Sequence, residues 1–257
     1  MEIDGKVAIV TGGAVRLGKA LALALAEHGA RLVIHYGSSA GPAQETVTEI
    51  KAMGSDALAV QADFSQSGQA PSIVERAVAH FGQVDILVNS AAIFEPGKWD
   101  DTTEANWDRH FAINLKSPFF LSQAFAKHVG PERACPRVAG QSHWPSARAG
   151  HIVNIADWRG VRPGIGHVAY TLTKAALIAM TKSLALALAP NIQVNAIAPG
   201  MVLPPPGEDQ SYLERKAGKI PAQRAGSPEE IAKVLMFLLR SDFVTGDLIF
   251  VTGGEHL

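Results

Sequence analysis

Val7-Ala8-Ile9-Val10-Thr11-Gly12-Gly13-Ala14-Val15-Arg16-Leu17-Gly18 is the stretch that decides the architecture. The apolar run Val7 to Val10 reads as a strand buried on both faces. The glycines after it make a tight turn, and the Ala/Leu-rich stretch from Leu17 to His28 continues as a helix. A strand that runs through glycines into a helix lets backbone approach a pyrophosphate. The helix N-terminus then offers unpaired N–H groups and a partial positive charge. Thr11, Gly12, Leu17 and Gly18 are therefore expected to border a dinucleotide, although an ordinary strand-helix turn uses glycine too. Arg16 adds weight, because a cation in the first helical turn opposes the helix dipole unless an anion lies beside it. A solvated surface arginine is its other reading.

Outward from this turn the same rhythm repeats. Val7 to Thr11, Arg31 to His35, Ala57 to Gln61, Ile86 to Asn89, His151 to Ile155, Ile192 to Ala196 and Leu248 to Val251 have the short apolar pattern of buried strands. Between them, Leu17 to His28, Pro42 to Met53, Pro71 to Phe81, Ala105 to His128, Ala169 to Ala189 and Pro228 to Leu239 have helical character. The alternation predicts an α/β fold over residues 1–257. The expected form is a doubly wound parallel sheet (Rossmann fold) of about seven strands with helices on both faces. Gly29 and Gly54 mark helix stops. Ser227-Pro228-Glu229-Glu230 marks a helix start, with Ser227 and Glu230 forming a capping box. Two proline-bearing segments interrupt the rhythm. Residues 130–150 read as an exposed insert and 199–226 as a candidate substrate lid.

Composition narrows the function. With 23 basic and 24 acidic side chains the formal net charge is -1, so no basic surplus exists to hold a nucleic acid. Cys135 is the single cysteine, which excludes an intrachain disulfide and a cysteine-based metal cluster. The nine histidines lack paired ligand spacing, so no metal site is expected. An acidic beginning and short apolar stretches lead to the expectation of a cytoplasmic protein without a membrane span.

Where the second strand ends, at His35-Tyr36-Gly37-Ser38-Ser39, a carboxylate would select the ribose 2′-hydroxyl of NAD. None occurs before Glu45, and Arg16 is close by, so NADP(H) is the expected cofactor. His35, Ser38 and Ser39 are candidate hydrogen-bond donors to its 2′-phosphate, with Tyr36 beside them. Asp63, followed by Phe64, has two readings: it meets the adenine, or it caps the next turn. Asn89, Ser90 and Ala91 end the fourth strand on the ligand-binding edge.

Tyr170-Thr171-Leu172-Thr173-Lys174 opens a strongly helical stretch, and residues four apart share a helix face. A lysine ammonium beside a phenol is expected to stabilise phenolate and lower the tyrosine pKa, which fits a proton-transfer role. Asp157 follows the fifth strand, on the edge where such sheets bind ligands. Asn114 lies in a helix that passes behind, where a buried polar residue satisfied by backbone is equally compatible.

Thr11-Gly12 to Gly18, Asp63, Asn89-Ser90-Ala91, Asn114, Tyr170 to Lys174 and Pro199-Gly200 together resemble the short-chain dehydrogenase/reductase family over nearly the whole chain. The resemblance implies that Tyr170 is the acid/base and that Lys174 binds nicotinamide ribose. It implies a proton relay supported by Asn114, a cofactor contact from Pro199-Gly200, a small-molecule substrate and a homotetramer or, less often, a dimer. Two positions depart from the common pattern: Arg16 stands where the family has glycine, and Asp157 where it has serine. An ionised aspartate cannot donate to a carbonyl and repels a developing alkoxide. Both departures resemble the pteridine reductase and dihydromonapterin (dihydrofolate) reductase branch, as does Phe94 at the position of an aromatic that stacks on the pterin; core packing is the alternative for Phe94. The expected function is thus an NADPH-dependent reduction of a pteridine-type ring C=N using Tyr170, Lys174 and Asp157. A reductase of another ketone, imine or enone is the alternative, and a catalytically silent NADP(H)-sensing regulator the third.

Overall fold

The computed structural model describes residues 1–129, 149–205 and 207–257. The expected insert at 130–150 falls almost wholly outside them, as does Cys135.

Seven strands form in chain order: β1 (Val7–Val10), β2 (Arg31–Tyr36), β3 (Ala57–Gln61), β4 (Ile86–Asn89), β5 (Gly150–Ile155), β6 (Ile192–Pro199) and β7 (Leu248–Val251). They make one sheet in the order β3-β2-β1-β4-β5-β6-β7, and every pairing is parallel. Side chains of β1 alternate between its faces: Ala8 and Val10 enter one core, Val7 and Ile9 the other. The first core is covered by α1 (Arg16–Glu27), α2 (Ala40–Ala52) and α8 (Pro228–Arg240). The opposite face carries α3 (Ala70–Phe81), α5 (Ser117–Val129) and α6 (Val168–Leu188). A sheet buried on both faces has no room for polar alternation, which is why its strands read as apolar runs. Strand order reverses between β1 and β4, opening a crevice at the strands' carboxyl ends.

Local signals behave as their chemistry requires. Gly29 and Gly54 follow helices at φ of 80° and 88°, a left-handed conformation that glycine adopts without cost. Ser227 and Glu230 form the capping box of α8.

Three expectations change. The single helix foreseen over Ala105 to His128 is α4 (Glu104–Phe111) and α5 joined by a π-helical turn, Ala112–Lys116, that contains Asn114. Apolar periodicity carries through that turn, so sequence alone does not reveal it. The segment 199–226 is not loop throughout, because α7 (Gln210–Ala217) forms inside it with Asp209 as its cap. Its ends are fastened: Gly226 N–H donates to the Met201 carbonyl and Ala222 N–H to that of Gly253. Finally α6, at 21 residues with a hydropathy of 1.3, is long and apolar enough to cross a bilayer, contrary to the expectation that every apolar stretch is too short. Its composition has a local cause: Leu177 and Met180 are buried in the protein, and the same helix carries buried Tyr170 and Lys174.

Candidate active site

A cavity of about 820 Å³ runs along the carboxyl edge from the β1–α1 turn to Tyr170. Of the residues singled out from sequence, Gly12, Arg16, Leu17, Gly18, His35, Ser38, Asp63, Phe64, Ser90, Ala91, Asp157, Tyr170, Lys174, Pro199 and Gly200 line it. Thr11, Tyr36, Asn89, Asn114 and Phe94 lie outside this lining.

The turn end is made of backbone. Gly12 has φ 64°, and a Cβ there would lie 3.0 Å from the Cα of Ala91. A Cβ on Gly18 would lie 2.1 Å from the Gly12 carbonyl oxygen, so α1 can seat against the turn only through glycine. Thr11 supports this corner from behind. Its buried Oγ1 accepts from the N–H groups of Ser90 (2.9 Å) and Ala91 (3.0 Å), tying the end of β1 to that of β4. Arg16 adopts φ 54°, unusual for a side-chain-bearing residue, and its guanidinium donates to the Pro204 carbonyl at 2.5 Å. The arginine thus bridges the turn and the segment after β6.

His35 corrects an expectation. Its Nδ1 accepts from Gly12 N–H at 3.2 Å, which leaves Nε2 to donate to the Ala62 carbonyl at 2.9 Å. The ring stacks on Phe64 with centroids 4.2 Å apart. With both nitrogens engaged, His35 braces the β1–α1 turn instead of offering a donor to a 2′-phosphate. Burial pushes its pKa down to about 4, so the imidazole stays neutral. Ser38 and Ser39 line the cavity after β2, where the sequence carries no carboxylate before Glu45, a corner compatible with a 2′-phosphate. Asp63 serves as a turn cap, accepting from Ser65 N–H and Oγ. Those bonds hold its carboxyl below the usual range.

The other end is made of side chains. Tyr170 Oη donates to Asp157 Oδ2 at 2.7 Å. Burial, then the Asp157 carboxylate, raises the Tyr170 pKa well above the ordinary phenol value. This reverses the expected lowering by Lys174, because burial dominates and the carboxylate, not the ammonium, meets the hydroxyl. Lys174 Nζ donates to the Ile155 carbonyl at 2.7 Å and lies 5.6 Å from the centre of the Tyr170 ring, whereas the carboxylate touches the hydroxyl. Burial lowers the Lys174 pKa to about 8. Asp157 is itself fixed, because its Oδ1 accepts from Arg159 N–H at 2.8 Å and caps the 3₁₀ turn Trp158–Gly160.

Asn114 is buried behind the centre. It exchanges two hydrogen bonds with the backbone of Ile93, and its Nδ2 also reaches Thr173 Oγ1 at 3.3 Å. Asn89 likewise turns inward, donating to Asn154 Oδ1 and Ser122 Oγ. Phe94 is 39% exposed, which rules out core packing. Its ring meets Tyr170 edge-on at 4.7 Å and His167 at 4.0 Å. Sequence reasoning missed Arg159 and Glu255. Glu255 comes from the C-terminal tail and accepts from Met201 N–H at 3.0 Å; burial raises its pKa. No spacing in the chain announces a residue that approaches from its far end.

A family model described as enoyl-(acyl carrier protein) reductase matches residues 13–256. The chain belongs to the short-chain dehydrogenase/reductase family. It is similar to FolM alternative dihydrofolate reductase 1 from Brucella suis, whose structure contains NADP. The two are 35% identical with a TM-score of 0.84, covering 98% of this chain and 95% of that one. A short chain dehydrogenase from Burkholderia cenocepacia J2315, also in complex with NADP, is 32% identical with a TM-score of 0.88 over 100% of both chains. The 2-dehydro-3-deoxy-D-gluconate 5-dehydrogenase of Dickeya dadantii is 36% identical over 98% of this chain and 96% of its own.

Proposed function

We propose that this protein, an NADP(H)-dependent oxidoreductase, reduces the C=N bond of a pteridine-type ring. The observation that carries the reading is the 2.7 Å hydrogen bond from Tyr170 to Asp157 at the buried end of the cavity. The glycine-built turn, with Ser38 and Ser39 after β2 where the sequence carries no carboxylate before Glu45, fits an NADP-type dinucleotide. When bound, that cofactor supplies the hydride. Gly12 and Gly18 let backbone approach its pyrophosphate, Arg16 supplies a cation, and Lys174 is placed for its ribose.

The residues of the chain then do the proton work. Tyr170 is held as a neutral phenol and carries a proton for the ring nitrogen. Asp157 Oδ2 holds that proton until a ring nitrogen takes it; the hydrogen bond between Tyr170 and Asp157 is then given up, and the carboxylate keeps lone pairs to accept from ring N–H groups. Arg159 offsets part of the negative charge left when the phenol gives up its proton. Asn114 holds the Ile93 backbone and reaches Thr173 on the helix that bears Tyr170, which supports its role in positioning a relay. Phe94, exposed and edge-on to Tyr170, offers a face to a flat ring. Two solved FolM relatives in complex with NADP support the substrate class. Trp107, Phe119 and Phe120, partly exposed on α4 and α5, support assembly into a homotetramer. The single cysteine of the chain fits a cytoplasmic protein.

The test is NADPH oxidation by purified protein with dihydropterins, dihydrofolate and simple ketones, with NADH in parallel. Turnover of the pteridines and not of ketones is expected. Robust ketone reduction with no pteridine turnover would overturn the reading.

A further inference from the structure

Arg159 lies on the rim of the reactive centre and has no role in the scheme above beyond its charge. Its backbone is locked in place. Asp157 Oδ1 accepts from its N–H at 2.8 Å. A Cβ on the next residue, Gly160, would lie 2.9 Å from the Lys174 carbonyl carbon, so the turn seats directly on the helix that bears Tyr170. The side chain, by contrast, is unsaturated. Among the described residues its guanidinium donates no hydrogen bond, and its nearest anion, Asp157 Oδ1, stands 3.7 Å away. The guanidinium carbon lies 5.6 Å from the centre of the Phe94 ring and 4.8 Å from that of Trp158. The side chain is 37% exposed.

An arginine in this state has a strong and specific capacity. Its planar fork binds a carboxylate through two parallel N–H bonds, and flanking aromatic faces shield it from water without using its donors. The charged groups around it set where an anion can sit. Asp157 lies on the inner side, so a substrate anion beside the reacting atoms would be repelled. Glu255 is fastened to Met201 N–H, and the ordinary pKa of His167 is lowered by burial and by Arg159 itself. The open position for an anion is therefore outward, beyond Phe94.

We infer that Arg159 is a specificity-determining residue that binds a carboxylate carried by the substrate outside its reducible ring. The inference rests on the pteridine reading and names the substrate class within it: ring systems with an acidic side chain, preferred over those with an uncharged one. The test compares steady-state kinetics with dihydrofolate, which carries carboxylates, and dihydrobiopterin, which carries none. In Arg159→Gln the ratio of kcat/KM for dihydrofolate to that for dihydrobiopterin should fall roughly tenfold, mainly through KM, the size of one charge-assisted hydrogen bond. Arg159→Lys, which keeps the charge but not the fork, should recover part of the ratio. A ratio unmoved in both variants, or both substrates impaired equally, would overturn the assignment while leaving the pteridine reading intact. If the unaltered protein turns over neither substrate, the pteridine reading falls and the assignment with it.

Discussion

At the β1 end of the cavity the inward-facing groups are backbone, held by glycines at 12 and 18 and braced from behind by Thr11 and His35. At the β5 end they are side chains, with Tyr170 and Lys174 each fixed by one short bond and Asp157 by two. The difference teaches where each end is fragile. The first fails when something occupies the space that backbone and ligand share. The second fails when one functional group changes, even if every atom around it stays in place. Damage to the first should therefore appear in cofactor affinity, and damage to the second in turnover.

The sharpest test of that division is Tyr170→Phe. Loss of the phenol proton should lower kcat about 10³-fold, within the range for general acid-base groups, while NADPH affinity measured by fluorescence stays within about twofold. A parallel loss of affinity would erase the distinction between the ends.

His35 provides the next test, in stability. Its folded pKa, about 4, lies below the ordinary histidine value of about 6.5, so the unfolded chain binds more protons between them. Stability is then full above about pH 6.5 and declines as pH falls toward 4, by about 3 kcal/mol in all. Urea melts at the two ends of this window should show that slope, and His35→Gln, which cannot titrate there, should lack it.

Gly18→Ala places a methyl 2.1 Å from the Gly12 carbonyl and must open the turn. Calorimetry should show roughly 50-fold weaker NADPH binding, a cost in the range of overpacked sites, with kcat at saturation much less changed. The smallest expected effect is that of Asp157→Ser. About a tenfold loss of kcat/KM on dihydropterins, with a gain on simple ketones, follows from exchanging an acceptor for a donor. If neither activity moves, Asp157 does not select the substrate.

The two ends were also unequally legible in the sequence. The turn was legible because Val7 to Gly18 opens a repeated strand-helix alternation, which also pointed to a parallel sheet covered on both faces; glycines alone serve ordinary strand-helix turns too, and the order of the strands left no mark in the apolar runs. The helical spacing of Tyr170 and Lys174 correctly put both side chains at the cavity, yet it misjudged their electrostatics. Spacing says that two groups share a face; it does not say that Lys174 reaches past the phenol to Ile155, or that Asp157 arrives closer from another element. His35 was seen as polar and near the cofactor, but its commitment to Gly12 and Ala62 depends on two backbone groups that no motif marks. The π turn around Asn114, helix α7, and the approach of Arg159 and Glu255 to the site all depend on tertiary packing and leave no periodic trace.

The central claim, that burial and then the Asp157 carboxylate keep Tyr170 a protonated donor, can be read directly. Carbon-13 labelling of tyrosine Cζ, with Tyr170 assigned among the three tyrosines by Tyr170→Phe, would follow its titration by NMR in the protein and in Asp157→Asn. The account predicts that Tyr170 stays protonated past about pH 10 and that Asp157→Asn brings its titration down. A Tyr170 that ionises below that value in the unaltered protein, or is indifferent to Asp157→Asn, would contradict it.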